Sequence, residues 1–247
     1  MYSWKTIRIT CTVLLLLPLV HLVYLVSRDA RELMDTSPQA FQRELDHYIE
    51  EDADNALPQH PVVVVGGRRV RLWRGLERDL APRPVLMRGL GDAIVDDILH
   101  NYQRLIGFYR PCCVVLLTGS SEFFIRDSKS GAQLAAAIAE LVELDLSYGV
   151  TEHFLVFAPL KTPSRPGDDG KIDEATVLLA ELAARRPEVE LIDANGLLAA
   201  RDGRPDPAYF RADGLQLNEH GYLRLSVLLR ERLHALPAAG DDTGASH

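Results

Sequence analysis

The stretch VVVVGGRRVRLW, from Val62 to Trp73, decides the fold of this 247-residue chain. It begins with four consecutive valines, which two glycines and an arginine-rich segment follow. A continuous apolar run is typical of a strand covered on both faces in a parallel sheet. The glycine pair indicates a turn directly after the strand. The stretch therefore predicts the first strand of a parallel sheet and the turn that leaves it.

Similar apolar runs recur along the chain and alternate with helical segments. The predicted strands are Val62–Val65, Val85–Met87, Val114–Leu117, Phe154–Phe157 and Val189–Ile192. The predicted helices between and after them are Asp92–Gly107, Gln133–Ser147, Asp173–Ala184 and Gly221–Leu236. This alternation predicts an α/β domain, a flavodoxin-like three-layer α/β/α sandwich around a five-stranded parallel sheet. Ligands of such sheets bind beyond the carboxyl ends of the strands.

Composition and charge exclude several classes of protein. The net charge of -8 argues against a nucleic-acid partner, because phosphate binding normally needs a basic surface. The sequence contains no glycine-rich phosphate loop. Cys11, Cys112 and Cys113 are interpreted as packing residues, and none has metal-ligand spacing. We therefore predict neither a metal nor a cofactor.

The N-terminus contains an apolar segment of membrane-spanning length. Ile9–Val26 carries no charge over eighteen residues, which is just long enough to cross a bilayer as a helix. We favour an uncleaved signal anchor within residues 1–34, because no small-residue cleavage motif follows the apolar run. The large domain then lies outside the cytoplasm, in the periplasm or the extracellular space. A cleaved signal peptide or a buried helix of the domain is the alternative.

The rest of the chain divides into three predicted segments. Residues 35–60 form an acidic helix and linker, with Phe41, Leu45, Tyr48 and Ile49 at helical spacing. Residues 61–236 form the α/β domain, and residues 237–247 form a disordered tail. The acids of the helix are interpreted as a solvated face; they are Glu44, Asp46, Glu50, Glu51 and Asp52.

Four ordered blocks resemble the motifs of the SGNH/GDSL hydrolase family. Gly66–Trp73 resembles the family's Gly-Asp-Ser turn, which often continues as Ile-Arg-Leu-Trp. Arg88–Asp92 resembles Asn-Arg-Gly-Phe-Gly-Gly, and Thr118–Glu122 resembles Gly-x-Asn-Asp. Asp213–Tyr222 resembles Asp-Gly-x-His-Leu-Asn with the Gly-Tyr beyond it. The resemblance implies an ester hydrolase fold from about Phe41 to Leu236.

The reactive residues of the family are replaced at the matching positions. The resemblance places Arg68 at the serine nucleophile, Asp92 at the oxyanion glycine, Ser121 at the oxyanion asparagine and Gln216 at the histidine base. Only Asp213 matches, at the carboxylate that orients the histidine. Arginine and glutamine cannot act as nucleophile and base at neutral pH. An aspartate beside an oxyanion has the wrong charge to stabilise it. We therefore predict that no catalytic set is intact.

The resemblance implies that Arg68 and Asp92 face each other across the site, and their charges are opposite. We predict that Arg68 pairs with Asp92 and fills the former nucleophile pocket, with Asp213 as the second candidate partner. The alternative is that both are unrelated surface charges. A relocated site of Ser120 or Ser121 with His220 and Asp213 is a fallback. Basic residues on the same edge suggest a rim for an anionic ligand such as an acidic glycan; they are Arg68, Arg69, Lys161 and Arg165.

Three functions from different classes follow. The first is a membrane-anchored pseudoenzyme that binds an envelope protein, a glycan or an acylated ligand. The second is an active acyl-ester hydrolase or acyltransferase that uses the fallback residues. The third is a folded spacer or assembly module whose acidic helix contacts another protein. We favour the first, while ligand, partner and oligomeric state stay open.

Overall fold

A computed structural model of the chain describes residues 8, 12, 14, 16–25, 38–124 and 126–236. The chain divides into two compact units, Met1–Ala40 and Phe41–His247. In the first unit, residues 16–25 are helical and exposed. Among the described residues, no helix is long and apolar enough to span a membrane. The anchor predicted at Ile9–Val26 lies partly outside these residues and the predicted tail at 237–247 wholly outside them, so both stay predictions.

The second unit is built on a parallel sheet of five strands. They are β1 (Val62–Gly66), β2 (Val85–Gly89), β3 (Cys113–Leu117), β4 (His153–Phe157) and β5 (Val189–Ile192). Their order across the sheet is β2-β1-β3-β4-β5. All five predicted strands and the α/β fold are confirmed. The apolar runs are continuous because both faces of the central strands are buried, as the fully buried Val62–Val65 shows.

Eight α-helices of the described residues surround this sheet. They are α1 (Gln42–Asp54), α2 (Arg68–Leu72), α3 (Leu76–Asp79), α4 (Val95–His100), α5 (Tyr102–Leu105), α6 (Gly131–Ser147), α7 (Asp169–Arg185) and α8 (Glu219–Ala235). On one face, α3 and α8 bury their apolar residues against alternate strand positions such as Val64 and Val115. The intervening positions, such as Val63 and Val114, point to the other face.

One predicted helix differs from the structure. The segment Asp92–Gly107 is not continuous: α4 begins at Val95, α5 ends at Leu105, and Asn101 separates the two helices. The Asn101 side-chain amide donates to the carbonyl oxygen of Asp97 at 2.9 Å. Asparagine side chains compete in this way with the backbone bonds of a helix. The prediction of one helix is therefore wrong.

The acidic helix α1 is part of the sheet-containing unit and packs on it. Phe41 and Leu45 are buried, and Asp52 accepts a hydrogen bond from Arg88 of β2 at 2.5 Å. Glu44 pairs with Arg71. The expectation of a solvated acidic face is thus wrong for Glu44 and Asp52. Helix α1 and the sheet therefore belong to the same compact unit, which begins at Phe41.

Candidate functional site

The resemblance blocks meet at the carboxyl edge of the sheet. Gly66 at the end of β1 pairs in register with Gly89 of β2 and with Leu117 of β3. The turn after β1, the loop after β2 and the segment after β3 therefore start side by side. Parallel α/β sheets bind ligands at this edge. The three blocks therefore converge at the edge of the sheet where the sequence predicts a site.

Close backbone approach explains the two glycines of the opening stretch. A Cβ atom on Gly66 would lie 2.2 Å from the carbonyl oxygen of Leu117. A Cβ atom on Gly67 would lie 2.6 Å from the carbonyl oxygen of Ala93. Neither position accepts a larger residue without movement of the backbone. The glycine pair lets the turn pass close to the backbones of Leu117 and Ala93 before helix α2 begins at Arg68. The arginines that follow point in different directions.

Arg68 and Asp92 form the predicted ion pair. The Arg68 Nη2 atom donates to Asp92 Oδ2. The prediction of this pairing is confirmed. However, the Arg68 side chain is 48% exposed and that of Asp92 is 18% exposed. The pair therefore lies at the surface, and the expectation that Arg68 fills a buried pocket is wrong.

A second ion pair lies beside the first one. Glu44 of α1 accepts a hydrogen bond from Arg71 of α2. A Cβ atom on Gly91 would meet Phe41 at 3.2 Å and both Glu44 carboxylate oxygens at 3.5 Å. Burial raises the pKa of Glu44, although Arg71 and the backbone of Gly91 oppose this effect. Helix α1 therefore covers the loop that the resemblance aligns with the oxyanion-binding loop. Sequence reasoning missed Glu44, because helical spacing alone does not show where an acidic face docks.

Arg69 is the arginine that enters the core. Its side chain is 1% exposed, and burial lowers its pKa to about 10. Nη1 donates to the carbonyl oxygen of Thr118 at 3.1 Å, and Nη2 donates to that of Leu215 at 3.4 Å. Nε is buried without a hydrogen-bond partner. Arg69 is therefore not exposed at the predicted basic rim: its guanidinium lies beneath the surface and joins the β3 end to the loop before α8.

The fallback residues are not joined by hydrogen bonds in the described part of the chain. His220 is exposed on the first turn of α8. Asp213 is exposed, and its Oδ1 atom accepts the backbone N–H groups of Leu215 at 2.8 Å and Gln216 at 3.0 Å. Ser120 is half-buried and Ser121 is buried. The carboxylate thus shapes its own loop, and the relocated triad is not assembled.

Gln216 occupies the position that the resemblance gives to the histidine base. It is half-buried, and its Oε1 atom is buried without a hydrogen-bond partner. A side-chain amide cannot accept a proton near neutral pH. The residue can therefore fill space in the loop but cannot activate a nucleophile.

The remaining predicted rim residues lie on the loop after β4. Lys161 Nζ pairs with Asp173 at 2.7 Å. Arg165 Nε pairs with Asp168 at 3.1 Å, and its guanidinium lies 4.3 Å from the centroid of the Phe124 ring. Of the four predicted rim residues, only Arg165 and Arg69 line the same crevice.

A larger groove of about 640 Å³ lies where α2 and α3 meet the start of α8. Its lining includes three arginines, two acids and apolar side chains; they are Leu72, Arg74, Gly75, Arg78, Asp79, Arg211, Glu219, Tyr222, Leu223 and Ser226. This volume is in the range of small-molecule sites. The unit therefore has room for a ligand near the turn that the first block forms.

Two other classes of site are a metal centre and a reactive thiol. In the described ranges, no group of three or more His, Cys, Asp or Glu residues is placed to hold a metal ion. Cys112 is half-buried and Cys113 is buried, and burial raises the pKa of both thiols. Thiols with raised pKa are poor nucleophiles at neutral pH.

The fold has clear relatives among solved structures. No protein-family model matches the sequence, and no curated protein is similar to it. A structure assigned as a platelet activating factor from Streptococcus pneumonia gives a TM-score of 0.68 at 18% identity, over 83% of this chain and 99% of that chain. A GDSL-like lipase from Bacteroides thetaiotaomicron gives 0.63 at 16% identity, over 77% and 97%. A catalytic mutant of an acetylxylan esterase from Geobacillus stearothermophilus gives 0.56 at 12% identity, over 72% and 95%.

These similarities define the class of fold. The chain has the parallel α/β fold of GDSL-like lipases and acylhydrolases, the SGNH hydrolase fold. The resemblance that the four sequence blocks carried is confirmed at this level. At these identities the similarity concerns the fold, and activity has to be argued from the residues of the site.

Proposed function

We propose that this chain is a non-hydrolytic binding protein with an SGNH hydrolase fold, held at a membrane by its N-terminal segment. The folded unit acts outside the cytoplasm and binds a glycan, an acylated ligand or an envelope protein. The observation that carries the proposal is the Arg68–Asp92 ion pair, which joins the positions that the resemblance gives to the nucleophile and the oxyanion glycine.

The chemistry of the edge supports loss of hydrolysis. A serine attacks an ester only when a neighbouring base removes its proton. In the described ranges, no hydrogen bond links Ser120 or Ser121 to a histidine, and Gln216 replaces the expected base. Asp92 also brings a negative charge to the position where an oxyanion needs donors. Loss of several members of a catalytic set removes most of the rate enhancement.

The surfaces that remain support a binding role. The glycines that shape the turn are retained, and the edge keeps a groove and a crevice that arginines line. One structural neighbour is an acetylxylan esterase, so a glycan is the ligand class proposed by analogy of fold. Two acids of α1 are engaged by arginines of its own unit, which disfavours the acidic helix as the main contact for another protein.

Hydrolysis is tested with the purified full-length chain and p-nitrophenyl acetate. We expect no turnover above the rate in buffer, and the same result for the variants Ser121→Ala and His220→Ala. Turnover by the wild type that Ser120→Ala, Ser121→Ala or His220→Ala abolishes would reject the proposal. It would establish the hydrolase alternative instead.

Membrane attachment is tested separately, by fractionation of cells that express the full-length chain. We expect the chain in the membrane pellet after an alkaline carbonate wash. The double variant Leu16→Lys/Leu19→Lys should move to the supernatant, because two central charges oppose insertion of a helix. Full-length protein that stays in the supernatant would reject anchoring without bearing on hydrolysis.

A further inference from the structure

Arg69 is a buried cation that makes no ion pair with a carboxylate of the described residues, and Asp213 favours its charged form only through space. Its guanidinium has five N–H donors, and two of them have acceptors, both neutral carbonyl oxygens. The contact of Nη2 with Leu215 is long, at 3.4 Å. An unpaired buried charge is costly. An arginine that is buried without an ion pair in the described residues, and whose Nε has no acceptor, can still accept an ion pair from a ligand.

A second buried polar atom beside Arg69 also lacks a partner. Thr118 Oγ1 is buried without a hydrogen bond, and the carbonyl oxygen of the same residue accepts from Arg69 Nη1 at 3.1 Å. Thr118 directly follows β3 at the carboxyl edge. A hydroxyl can donate to an anion that a guanidinium also binds. Arg69 Nε and Thr118 Oγ1 are therefore two unpartnered donors on residues that contact each other at the end of β3.

Arg69 lines a narrow crevice between the ends of β3 and β4. We call it the Arg69 crevice; its lining includes Arg69, Ser120, Thr162, Arg165 and Asp168. Its free volume is about 10 Å³. A volume of this size holds about one water-sized group. The crevice therefore admits one small polar head, while the remainder of a ligand stays outside.

The charge of the lining is positive by one unit. Arg69 and Arg165 contribute two positive charges, and Asp168 is the one acid among the lining residues. Asp168 is already engaged by Arg165 at 3.1 Å and by Lys171 at 3.7 Å. Arg165 is 42% exposed, so a head group can be held between a buried and an exposed guanidinium. One net positive charge matches one negative charge.

We infer that the Arg69 crevice binds the carboxylate group of an anionic ligand. One carboxylate oxygen accepts from Arg69 Nε and Thr118 Oγ1, and the other faces Arg165 and the solvent. A planar carboxylate with one charge fits the narrow crevice better than a tetrahedral, doubly charged phosphate. Charge-assisted hydrogen bonds to arginine are the strong ones for such a group. The inference deepens the proposed binding function and rests on it, because it names the chemistry that the edge recognises.

The test is thermal unfolding of the full-length protein in sodium acetate against sodium chloride at equal ionic strength. We expect a saturable rise in Tm with acetate in the wild type. Arg69→Met should weaken the apparent affinity for acetate by roughly 10-fold or more, and Thr118→Val by roughly 5-fold, from the usual contributions of charged and neutral hydrogen bonds. Arg186→Met is the matched control, because it removes an exposed arginine that pairs with Glu143 outside the crevice and should leave the acetate response unchanged.

Three results would overturn the inference. They are equal responses of the wild type to acetate and chloride, an acetate response that Arg69→Met and Thr118→Val both retain, and binding of inorganic phosphate as tight as that of acetate. If Arg69→Met does not fold, the isosteric Thr118→Val decides alone. If the protein neither binds acetate nor hydrolyses the ester, the inference of a carboxylate site is rejected and the proposed function is retained. Esterase turnover rejects the proposed function whatever acetate does.

Discussion

Two buried arginines of this protein lie in different surroundings. Arg88 of β2 is 5% exposed, donates to Asp52 at 2.5 Å and to the Tyr109 hydroxyl at 2.8 Å, and lies between two aromatic rings. The ring centroids of Tyr48 and Tyr109 are 4.7 and 4.6 Å from its guanidinium carbon. Arg69 is 1% exposed, and its guanidinium donates to two neutral carbonyl oxygens, those of Thr118 and Leu215.

The difference separates a structural arginine from a candidate binding residue. The charge of Arg88 is neutralised within the unit, and the pair fixes α1 to the sheet. The charge of Arg69 has no ion-pair partner among the described residues, and Asp213 favours it only through space. Breaking a buried pair leaves an uncompensated charge, whereas removing an unpaired buried charge relieves a cost. The same substitution at the two positions should therefore have opposite consequences.

The largest expected effect is that of Arg88→Met. Loss of Arg88 leaves the nearly buried carboxylate of Asp52 with one donor among the described residues, the Tyr109 hydroxyl. We expect the free energy of unfolding to fall by about 3–5 kcal/mol, as for other broken buried pairs. Urea denaturation measures the change. Arg104→Met, which breaks the exposed pair with Asp46 on the same helix, should cost less than about 1 kcal/mol. Equal losses in both variants would contradict the structural role of Arg88.

The next effect concerns pH and a third buried charge, Glu122. Burial raises the pKa of Glu122 to about 7, although Lys129 and the backbone N–H of Val95 favour its ionised form. The folded state thus binds this proton more tightly than the unfolded state. Its contribution to stability is fully present below about pH 4.5 and is lost as pH rises through about 7. The difference between 4.5 and about 7 corresponds to roughly 3 kcal/mol.

Urea denaturation of Glu122→Gln at about pH 5 and about pH 8 checks this expectation. The variant cannot ionise at this position, so its free energy of unfolding should fall less between the two pH values than that of the wild type. Asp127→Asn is the control, because Asp127 contacts the same Lys129 but is 41% exposed. A wild-type pH dependence that Glu122→Gln leaves unchanged would show that Glu122 is not its source.

A smaller change is expected for Arg69→Met without a bound anion. The variant loses two hydrogen bonds to carbonyl oxygens and also loses the cost of a buried charge. We expect it to be neutral or stabilising, by up to about 2 kcal/mol. Urea denaturation in acetate-free buffer is the measurement. A loss as large as that of Arg88→Met would mean that Arg69 is satisfied within the fold.

The smallest effect is expected for Arg68→Ala. The Arg68–Asp92 pair is largely exposed on the arginine side, and exposed ion pairs contribute less than about 1 kcal/mol. The difference from the wild type should shrink further in high salt, because salt screens surface charges. Denaturation at low and high ionic strength measures both effects. A loss well above about 1 kcal/mol that persists in high salt would mean that Arg68 is the structural arginine of the turn.

The parts of the site that follow from order along the chain were predictable. The strand ends that carry the four blocks were correctly located, because apolar runs and parallel order define the carboxyl edge. The Arg68–Asp92 pair was also predicted, because the family resemblance places the two residues on facing sides of the site and their charges are opposite. What could not be predicted is which arginine of the turn enters the core. Successive residues of a helix differ in direction by about 100°, so Arg68 and Arg69 must point to different places.

Contacts between distant segments were likewise not predictable. The acids of α1 have the spacing of a solvated face, and the sequence contains no local sign that Glu44 meets Arg71 or that Asp52 meets Arg88. The docking of α1 depends on the space beside β2 and on where Tyr48 and Tyr109 place their rings around Arg88. Such contacts join residues tens of positions apart, and helical spacing carries no information about them.

The sequence by itself determined the parallel α/β architecture, the edge at which a site can lie and the replacement of the residues on which ester hydrolysis would depend. These properties depend on hydrophobic pattern, chain order and residue chemistry, which can be read from short stretches of the sequence. Only the tertiary structure decided that Arg68 stays at the surface, that Arg69 is buried without a carboxylate and that α1 covers the loop after β2. Burial and pairing are properties of three-dimensional packing, because the energy of a charge depends on what surrounds it.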